Sequence, residues 1–156
     1  MTARIPLVLA AILAAAAPAA ATDTSVSALA AWQEDPSRIF EADEVDLDEF
    51  LWMARPIVVF ADTAADPRFV RQLELLAARP EALQEREVVV ITDADPNAGS
   101  EIRRKLRPRG FMLAILGKDG GVKLRKPLPW DVREISRSID KMPMRRQEIR
   151  DRARAN

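Results

Sequence analysis

Three residues between a predicted strand and a predicted helix have side chains that could do chemistry: Asp62, Thr63 and Asp66. Two carboxylates held roughly 5 to 10 Å apart can act as general acid and base on a substrate between them. Asp66 also precedes Pro67, and a carboxylate at that position commonly caps a helix. The loop therefore predicts either carboxylate-dependent catalysis or a helix start without chemistry.

Basic residues supply a second possible function, the binding of an anion. Arg68 follows the loop, and Lys118, Lys123 and Arg125 surround a predicted hairpin. Lys126 completes the hairpin cluster, and a second basic cluster lies on and after a short predicted helix. If the two clusters converge, they form an anion-attracting surface. The second cluster is Arg103, Arg104, Lys105, Arg107 and Arg109. The alternative is that basic residues on a hairpin edge only discourage edge-to-edge pairing of sheets. The predicted ligand-binding residues are Asp62, Thr63, Asp66, Arg68, Lys118, Lys123 and Arg125.

The amino-acid composition excludes several kinds of catalytic and metal-binding site. The 156 residues include no cysteine and no histidine. A reactive thiolate, a disulfide, a Ser-His-Asp triad and a zinc site of thiolate or imidazole ligands are therefore excluded. Asp93, Asp95 and Asn97 alternate as calcium ligands do, but Pro96 and the missing glycine and distal glutamate favour a turn. We expect no metal and no cofactor, and assign no catalytic residue.

The elements that must position the loop follow from hydrophobic runs and turn residues. Strands are predicted at residues 57–60, 88–91, 111–116 and 122–125, and helices between and after them. The first three strands could pair in parallel, and Asp119-Gly120-Gly121 joins the last two as a hairpin. This predicts an α/β fold with a four-stranded mixed sheet flanked by helices, in the order strand, helix, strand, helix, strand, strand, helix. That order is the core of a thioredoxin-like domain.

The chain divides into four segments. Residues 1–21 have a cationic start, an apolar stretch and a small-residue end, which predicts a cleaved signal peptide. Residues 22–45 are predicted to be an acidic, irregular leader with one helical turn, residues 46–142 the thioredoxin-like domain, and residues 143–156 a basic tail. Trp52 and Trp130 are expected to pack in the core or at its rim.

Localisation and partners follow from this division. The protein is expected to be exported, periplasmic or extracellular, and to meet a membrane only during export. Nine acidic residues and one basic residue lie between positions 22 and 54, whereas six basic and two acidic residues lie between 141 and 156. Export and the lack of basic residues interleaved with aromatic ones exclude nucleic acid as a partner. The tail could meet an anionic partner or lie near the acidic leader.

Four segments carry a resemblance to a known family: residues 52–60 (WMARPIVVF), 66–68 (DPR), 111–125 (FMLAILGKDGGVKLR) and 139–148 (IDKMPMRRQE). They resemble small secreted bacterial proteins with a thioredoxin-like domain of unknown function, related to domains in the vertebrate matrix proteins equarin and the sushi-repeat proteins. The resemblance spans residues 46–150. It implies the fold and carries no activity with it.

The reactive position of such folds falls in the loop where Thr63 and Asp66 lie. Thr63-x-x-Asp66 is similar to the Thr-x-x-Cys of peroxiredoxins, with a carboxylate in place of the sulfur. Aspartate forms neither disulfide nor sulfenic acid, so thiol redox activity is excluded. Pro108 is expected to end a helix rather than to serve as the cis-proline of thioredoxins.

These observations favour an exported, non-catalytic module that binds an envelope or extracellular protein or an anionic ligand. The alternative is an enzyme that uses Asp62 and Asp66. A third hypothesis is a redox helper whose thiols come from its partner. If Asp62, Asp66 and the basic clusters line one pocket, the enzyme is favoured; if they lie on separate faces, the binding module is.

Overall fold

A five-stranded mixed sheet forms the centre of the molecule. The computed structural model describes residues 27–155, so the predicted signal peptide at residues 1–21 lies outside the described residues. The strand order is β1-β3-β2-β4-β5. β1, β2 and β3 run parallel, whereas β4 pairs antiparallel with β2, and β5 with β4. The strands are β1 Ile39–Glu41, β2 Arg55–Phe60, β3 Val88–Asp93, β4 Met112–Leu116 and β5 Val122–Lys126.

The thioredoxin-like α/β fold predicted from the sequence is confirmed, with two corrections to the sheet. The sheet has five strands rather than four, because β1 was missed. The third predicted strand, β4, is antiparallel to β2 rather than parallel: Phe60 pairs with Met112, at the start of β4. The helix before β4 delivers the chain to the carboxyl end of β2, so β4 must run back along it.

Residues 27–155 form six helices, of which the first five pack on the two faces of the sheet. Two 3₁₀ turns, Leu47–Phe50 and Pro96–Ala98, complete the regular structure. Helices are present between and after the strands, as predicted, and α6 forms in the segment that was predicted to be a basic tail. The helices are α1 Ala28–Glu34, α2 Pro67–Ala77, α3 Pro80–Gln84, α4 Glu101–Leu106, α5 Val132–Asp140 and α6 Pro143–Ala155.

Each face of the sheet has its own apolar core. Successive residues of a strand point to opposite faces. Thus Val58 packs with the α1 and α4 residues Trp32 and Ile102, whereas Ile57 packs with residues of α2, α3 and α5. Every residue of β2 and β4 is buried. These two strands are therefore held rigidly, and so is the start of the loop that follows β2.

Within the predicted leader at residues 22–45, the expected helical turn is present as part of α1, whereas the expectation of irregular structure is wrong for β1. Residues 22–26 lie outside the described residues. Trp32 and Phe40 are buried, and the Trp32 Nε1–H donates to the Val88 carbonyl oxygen at 3.1 Å. The Trp32 and Phe50 rings meet edge to face with centroids 6.2 Å apart. The two aromatic residues of this segment are buried, whereas its described acidic residues are exposed. Because the acidic residues dominate the local composition, the sequence predicted an irregular segment.

The two tryptophans singled out from the sequence have different environments. Trp52 is 64% exposed at a positive φ of 65°, because the 3₁₀ turn before it ends at Phe50. Its predicted place in the core or at its rim is therefore wrong. Trp130 does pack at the rim, with its ring 4.3 Å from the Lys126 Nζ. Its backbone N–H donates to the buried Gln72 Oε1 at 2.7 Å.

Candidate functional site

The loop between β2 and α2 lies at the carboxyl end of the sheet. The Ala61 N–H donates to the Asp93 carbonyl oxygen at 2.9 Å, which fixes the start of the loop against the end of β3. The Asp66 N–H donates to the Thr63 carbonyl oxygen at 3.1 Å and closes a turn. The loop is thus anchored at both ends by backbone hydrogen bonds.

Asp66 is committed to the start of α2. Its Oδ1 accepts from the Arg68 N–H at 2.8 Å, which satisfies a free donor of the first helical turn. The Arg68 side chain binds both carboxylate oxygens, Nε to Oδ1 at 3.1 Å and Nη2 to Oδ2 at 2.8 Å. Hydrogen bonds from the Arg68 side chain and backbone lower the pKa of Asp66. An ionised, fully occupied carboxylate is poorly suited to donate or take a proton near neutrality.

The other two loop residues offer no better catalytic geometry. The Asp62 side chain is 66% exposed, and its Oδ1 lies 3.9 Å from the Arg103 Nη1. The Thr63 Oγ1 accepts from the Ala65 N–H at 3.3 Å, a bond that shapes the turn. Asp62 and Thr63 are on the surface of the loop. The structure therefore places the four loop residues of the predicted set together, with Asp66 and Arg68 already paired to one another.

A buried ion pair beneath this loop was missed by sequence reasoning. Asp93, the last residue of β3, is 4% exposed and accepts from the Arg103 side chain of α4 at 2.7 Å and 2.9 Å. The Arg103 Nη2 also donates to the Ala61 carbonyl oxygen at 2.8 Å. The Ser100 Oγ–H donates to Asp93 at 2.5 Å while Ser100 caps α4. The sequence contained one indication of this contact. Ser100 is a residue type that starts helices, and Arg103 follows it by three residues, in the first turn of that helix.

Of the four predicted basic ligands, Arg68 lies beside the loop and the three hairpin residues lie elsewhere. Lys118 lies at the opposite end of the sheet, where it pairs with Glu87 and Glu148. Lys123 binds Asp119 across the hairpin at 2.6 Å. Arg125 donates to the Leu106 carbonyl oxygen at 2.6 Å, at the end of α4. Each has a partner within the chain, and the Arg125 contact brings the hairpin next to the end of α4.

An ionic network at the amino end of the sheet binds α6 to the domain. The Arg55 side chain, 1% exposed, donates to Glu148 at 2.7 Å, and Arg145, 2% exposed, lies 3.3 Å from the other Glu148 oxygen. Burial opposes ionisation of Glu148, but hydrogen bonds from Arg55 and Lys118 outweigh it, so the pKa of Glu148 is lowered. Arg86 and Asp140 extend the network at 2.7 Å. The predicted basic tail is thus a docked helix.

A cleft of about 450 Å³ opens beside the loop, at the carboxyl ends of β1 and β3. Its volume falls in the range of about 300 to 1,000 Å³ that is usual for ligand sites. Apolar side chains of β1 and α2 form one wall, and carboxylates form the rim. The residues that line it are Ile39, Glu41, Ala42, Asp43, Ala64, Phe69, Leu73, Thr92, Asp93, Ala94, Asp95, Ala98 and Ser100.

Two further features bear on the kind of site. Over residues 27–155, no three carboxylates come together in a way that could hold a metal ion. In the same part of the chain, no helix has the length and apolar character needed to cross a membrane. Pro108 has a trans peptide bond, like every other described residue, so the cis-proline of thioredoxins has no counterpart among them.

Comparisons with known proteins bear on the fold. A family described as "Domain of unknown function (DUF4174)" matches residues 46–148. Chloroplastic thioredoxin z is similar in structure, with a TM-score of 0.51 and 18% identity over 67% of this chain and 93% of that one. The reduced 2-Cys peroxiredoxin of Plasmodium vivax has a TM-score of 0.50 and 13% identity over 64% and 85%. No curated protein matches the sequence. At these identities the likeness shows the fold alone.

Proposed function

We propose that this chain, which belongs to the DUF4174 family, is an exported binding module that holds a partner protein without catalysing a reaction. Export is supported by the cationic and apolar character of residues 1–21.

One observation carries the proposal: the loop that bears the reactive group in related folds has its best polar side chain, Asp66, tied to a helix cap and to Arg68. The cleft next to that loop, by contrast, is open and is lined in part by Phe69 and Leu73. An open cleft beside a loop whose carboxylate is already paired is suited to binding a partner rather than to catalysis. A protein partner fits better than an anionic ligand, because Lys118, Lys123 and Arg125 have intramolecular partners.

The two other hypotheses have weaker support. An enzyme using Asp62 and Asp66 would need one carboxylate protonated near neutrality, whereas the pKa of Asp66 is lowered. A redox helper with thiols supplied by its partner requires a thiol-bearing partner, and nothing in the cleft selects one. The enzyme and the redox-helper hypotheses each predict that a substrate is turned over, whereas the binding module turns over none.

Site-specific photo-crosslinking tests the proposal. A benzophenone amino acid at Ala98, an exposed residue of the cleft, should capture one defined protein in the cells that make this chain. The same amino acid at Arg137, exposed on α5 away from the cleft, is the control and should not. Failure of Ala98 to capture any protein would overturn the proposal. So would turnover of a substrate by the purified chain that is lost in Asp62→Asn or Asp66→Asn.

A further inference from the structure

The cleft is one half of a longer groove. A second cavity of about 270 Å³ lies between β1 and the helices α2 and α3. Ile39 lines both cavities, so they meet at β1. We call the two together the β1 groove. The second cavity is lined by Pro36, Ser37, Ile39, Leu76, Ala77, Pro80, Leu83, Val88 and Val90.

One end of the β1 groove is apolar. Ile39 pairs in register with Val90, so both side chains share the face of the sheet on which α2 packs. α2 and α3 cover the central strands but leave β1 open, and Ile39 remains 40% exposed. A large apolar side chain of a partner could pack between Ile39, Leu76 and Leu83.

The other end of the β1 groove is acidic. Glu41, Asp43 and Asp95 line it and are exposed. None of the three forms an ion pair with a residue between 27 and 155, in contrast to Asp93, which Arg103 neutralises. The basic helix α6 cannot supply the missing charge within the molecule, since Arg145 binds at the opposite end of the sheet. Among the described residues, these three carboxylates are therefore available to a cationic partner.

The edge of β1 is closed to an added strand at its carboxyl end, Glu41. The Glu44 Oε2 accepts from the Glu41 N–H at 3.0 Å, and the Glu44 N–H donates to the Glu41 carbonyl oxygen at 3.1 Å. Glu44 thus occupies the outward backbone groups of Glu41, through which a peptide would extend the sheet at this end. At the acidic end of the groove, a partner is therefore recognised by its side chains.

We infer that the β1 groove binds an extended segment of a partner protein that places apolar side chains at the Ile39 end and lysine or arginine at the Glu41 and Asp43 end. The inference rests on the proposed binding function and names the chemistry of its partner. Apolar burial supplies the affinity, and the unpaired carboxylates set the direction of the segment and reject acidic ones.

Synthetic peptides test this chemistry on the full chain, with amide chemical shifts as the readout. The probe is the hexapeptide Leu-Ala-Leu-Lys-Arg-Lys, compared with Leu-Ala-Leu-Glu-Asp-Glu and Ala-Ser-Ala-Lys-Arg-Lys. We expect the first peptide to shift amides along the β1 groove and to bind at least tenfold more tightly than the others. Binding of the first peptide should weaken as salt is added.

Matched variants locate the site. Glu41→Lys with Asp43→Lys, and separately Ile39→Ser, should each weaken binding of the first peptide at least tenfold. Glu134→Lys with Asp151→Lys makes the same change of net charge at exposed positions outside the groove and should alter binding less than twofold. The amide spectra of all variants show whether each has folded.

Several results would overturn the inference. They are no binding of the first peptide, equal binding of the acidic peptide, shifts confined to residues outside the groove, and a concentration-dependent dimer that seats a second copy's α6 in it. These are distinguishable from failure of the proposed function. If Ala98 captures a partner that lacks an apolar and basic segment, the chemistry is wrong and the binding function stands.

Discussion

The Nη2 of Arg55 lies 2.7 Å from the Oε1 of Glu148, which joins the first residue of β2 to a helix 93 residues further along the chain. Arg55 is 1% exposed, and its Nη1 donates to the Arg86 carbonyl oxygen at 2.9 Å. In α6, Arg145 is the one buried residue between Pro143 and Ala155. The helix is therefore held to the domain by charge rather than by apolar packing.

Removing Glu148 should destabilise the fold. Glu148→Ala leaves the buried Arg55 and Arg145 without this carboxylate, and loss of one partner of a buried pair costs about 3 kcal/mol. Urea unfolding followed by circular dichroism measures the free energy. Asp151→Ala, on the exposed side of the same helix, is the control and should change it by less than about 0.5 kcal/mol. An equal effect of both variants would contradict the ionic docking of α6.

Stability should fall in acid through the same carboxylate. Because the native pKa of Glu148 is lowered, its contribution is complete above the ordinary glutamate pKa of about 4.3 and is lost as pH falls through the native value. Glu148→Gln should have a shallower decline below pH 5, measured by urea unfolding from pH 3 to 8. With no histidine in the chain, we expect little change between pH 6 and 8. A wild-type and variant decline of equal slope would argue against this role.

The turn between β4 and β5 should tolerate alanine at one glycine and not at its neighbour. Gly120 has a φ of 74°, and a Cβ there would lie 2.9 Å from the Leu51 Cδ2. Gly120→Ala should cost about 1 to 2 kcal/mol, because the left-handed region strains an L-residue. Gly121 has no positive φ, and its added Cβ would come no closer than 3.4 Å to flexible side-chain ends. Gly121→Ala should therefore unfold at nearly the wild-type urea concentration.

The role of Asp66 can be separated into cap and carboxylate. Asp66→Asn keeps an oxygen that can accept from the Arg68 N–H, whereas Asp66→Ala removes it. We expect Asp66→Ala to lower the thermal midpoint clearly more than Asp66→Asn, in differential scanning calorimetry. Equal midpoints for the two variants would show that the cap contributes nothing to α2.

The main elements could be predicted from the sequence because their signals are local. The β-branched run before Phe60, the Asp66-Pro67 start of α2 and the Gly120-Gly121 turn each specify their own structure. β1 could not be predicted, because it has three residues, of which only Phe40 is buried. Its strand character comes from pairing with β3, which lies 50 residues away.

The site was predicted only in its loop. Asp62, Thr63, Asp66 and Arg68 are neighbours in sequence, so the structure had to bring them together. Lys118 belongs to the predicted ligand-binding set because it is basic and close to a hairpin. The antiparallel return of β4 carries it to the far end of the sheet, where Glu148 binds it. The groove beside β1 was missed because it depends on a strand that the sequence did not reveal.

The most direct test compares the loop carboxylates with the β1 groove as determinants of partner binding, in one assay. The yield of the photo-crosslinked partner from Ala98 is measured in cells for two altered chains: Asp62→Asn with Asp66→Asn, and Ile39→Ser. We predict that the first chain captures its partner as the wild type does, whereas the second loses most of the yield. If the Asp62→Asn, Asp66→Asn chain loses capture while the Ile39→Ser chain retains it in full, the loop carboxylates and not the β1 groove hold the partner, and the proposal is contradicted.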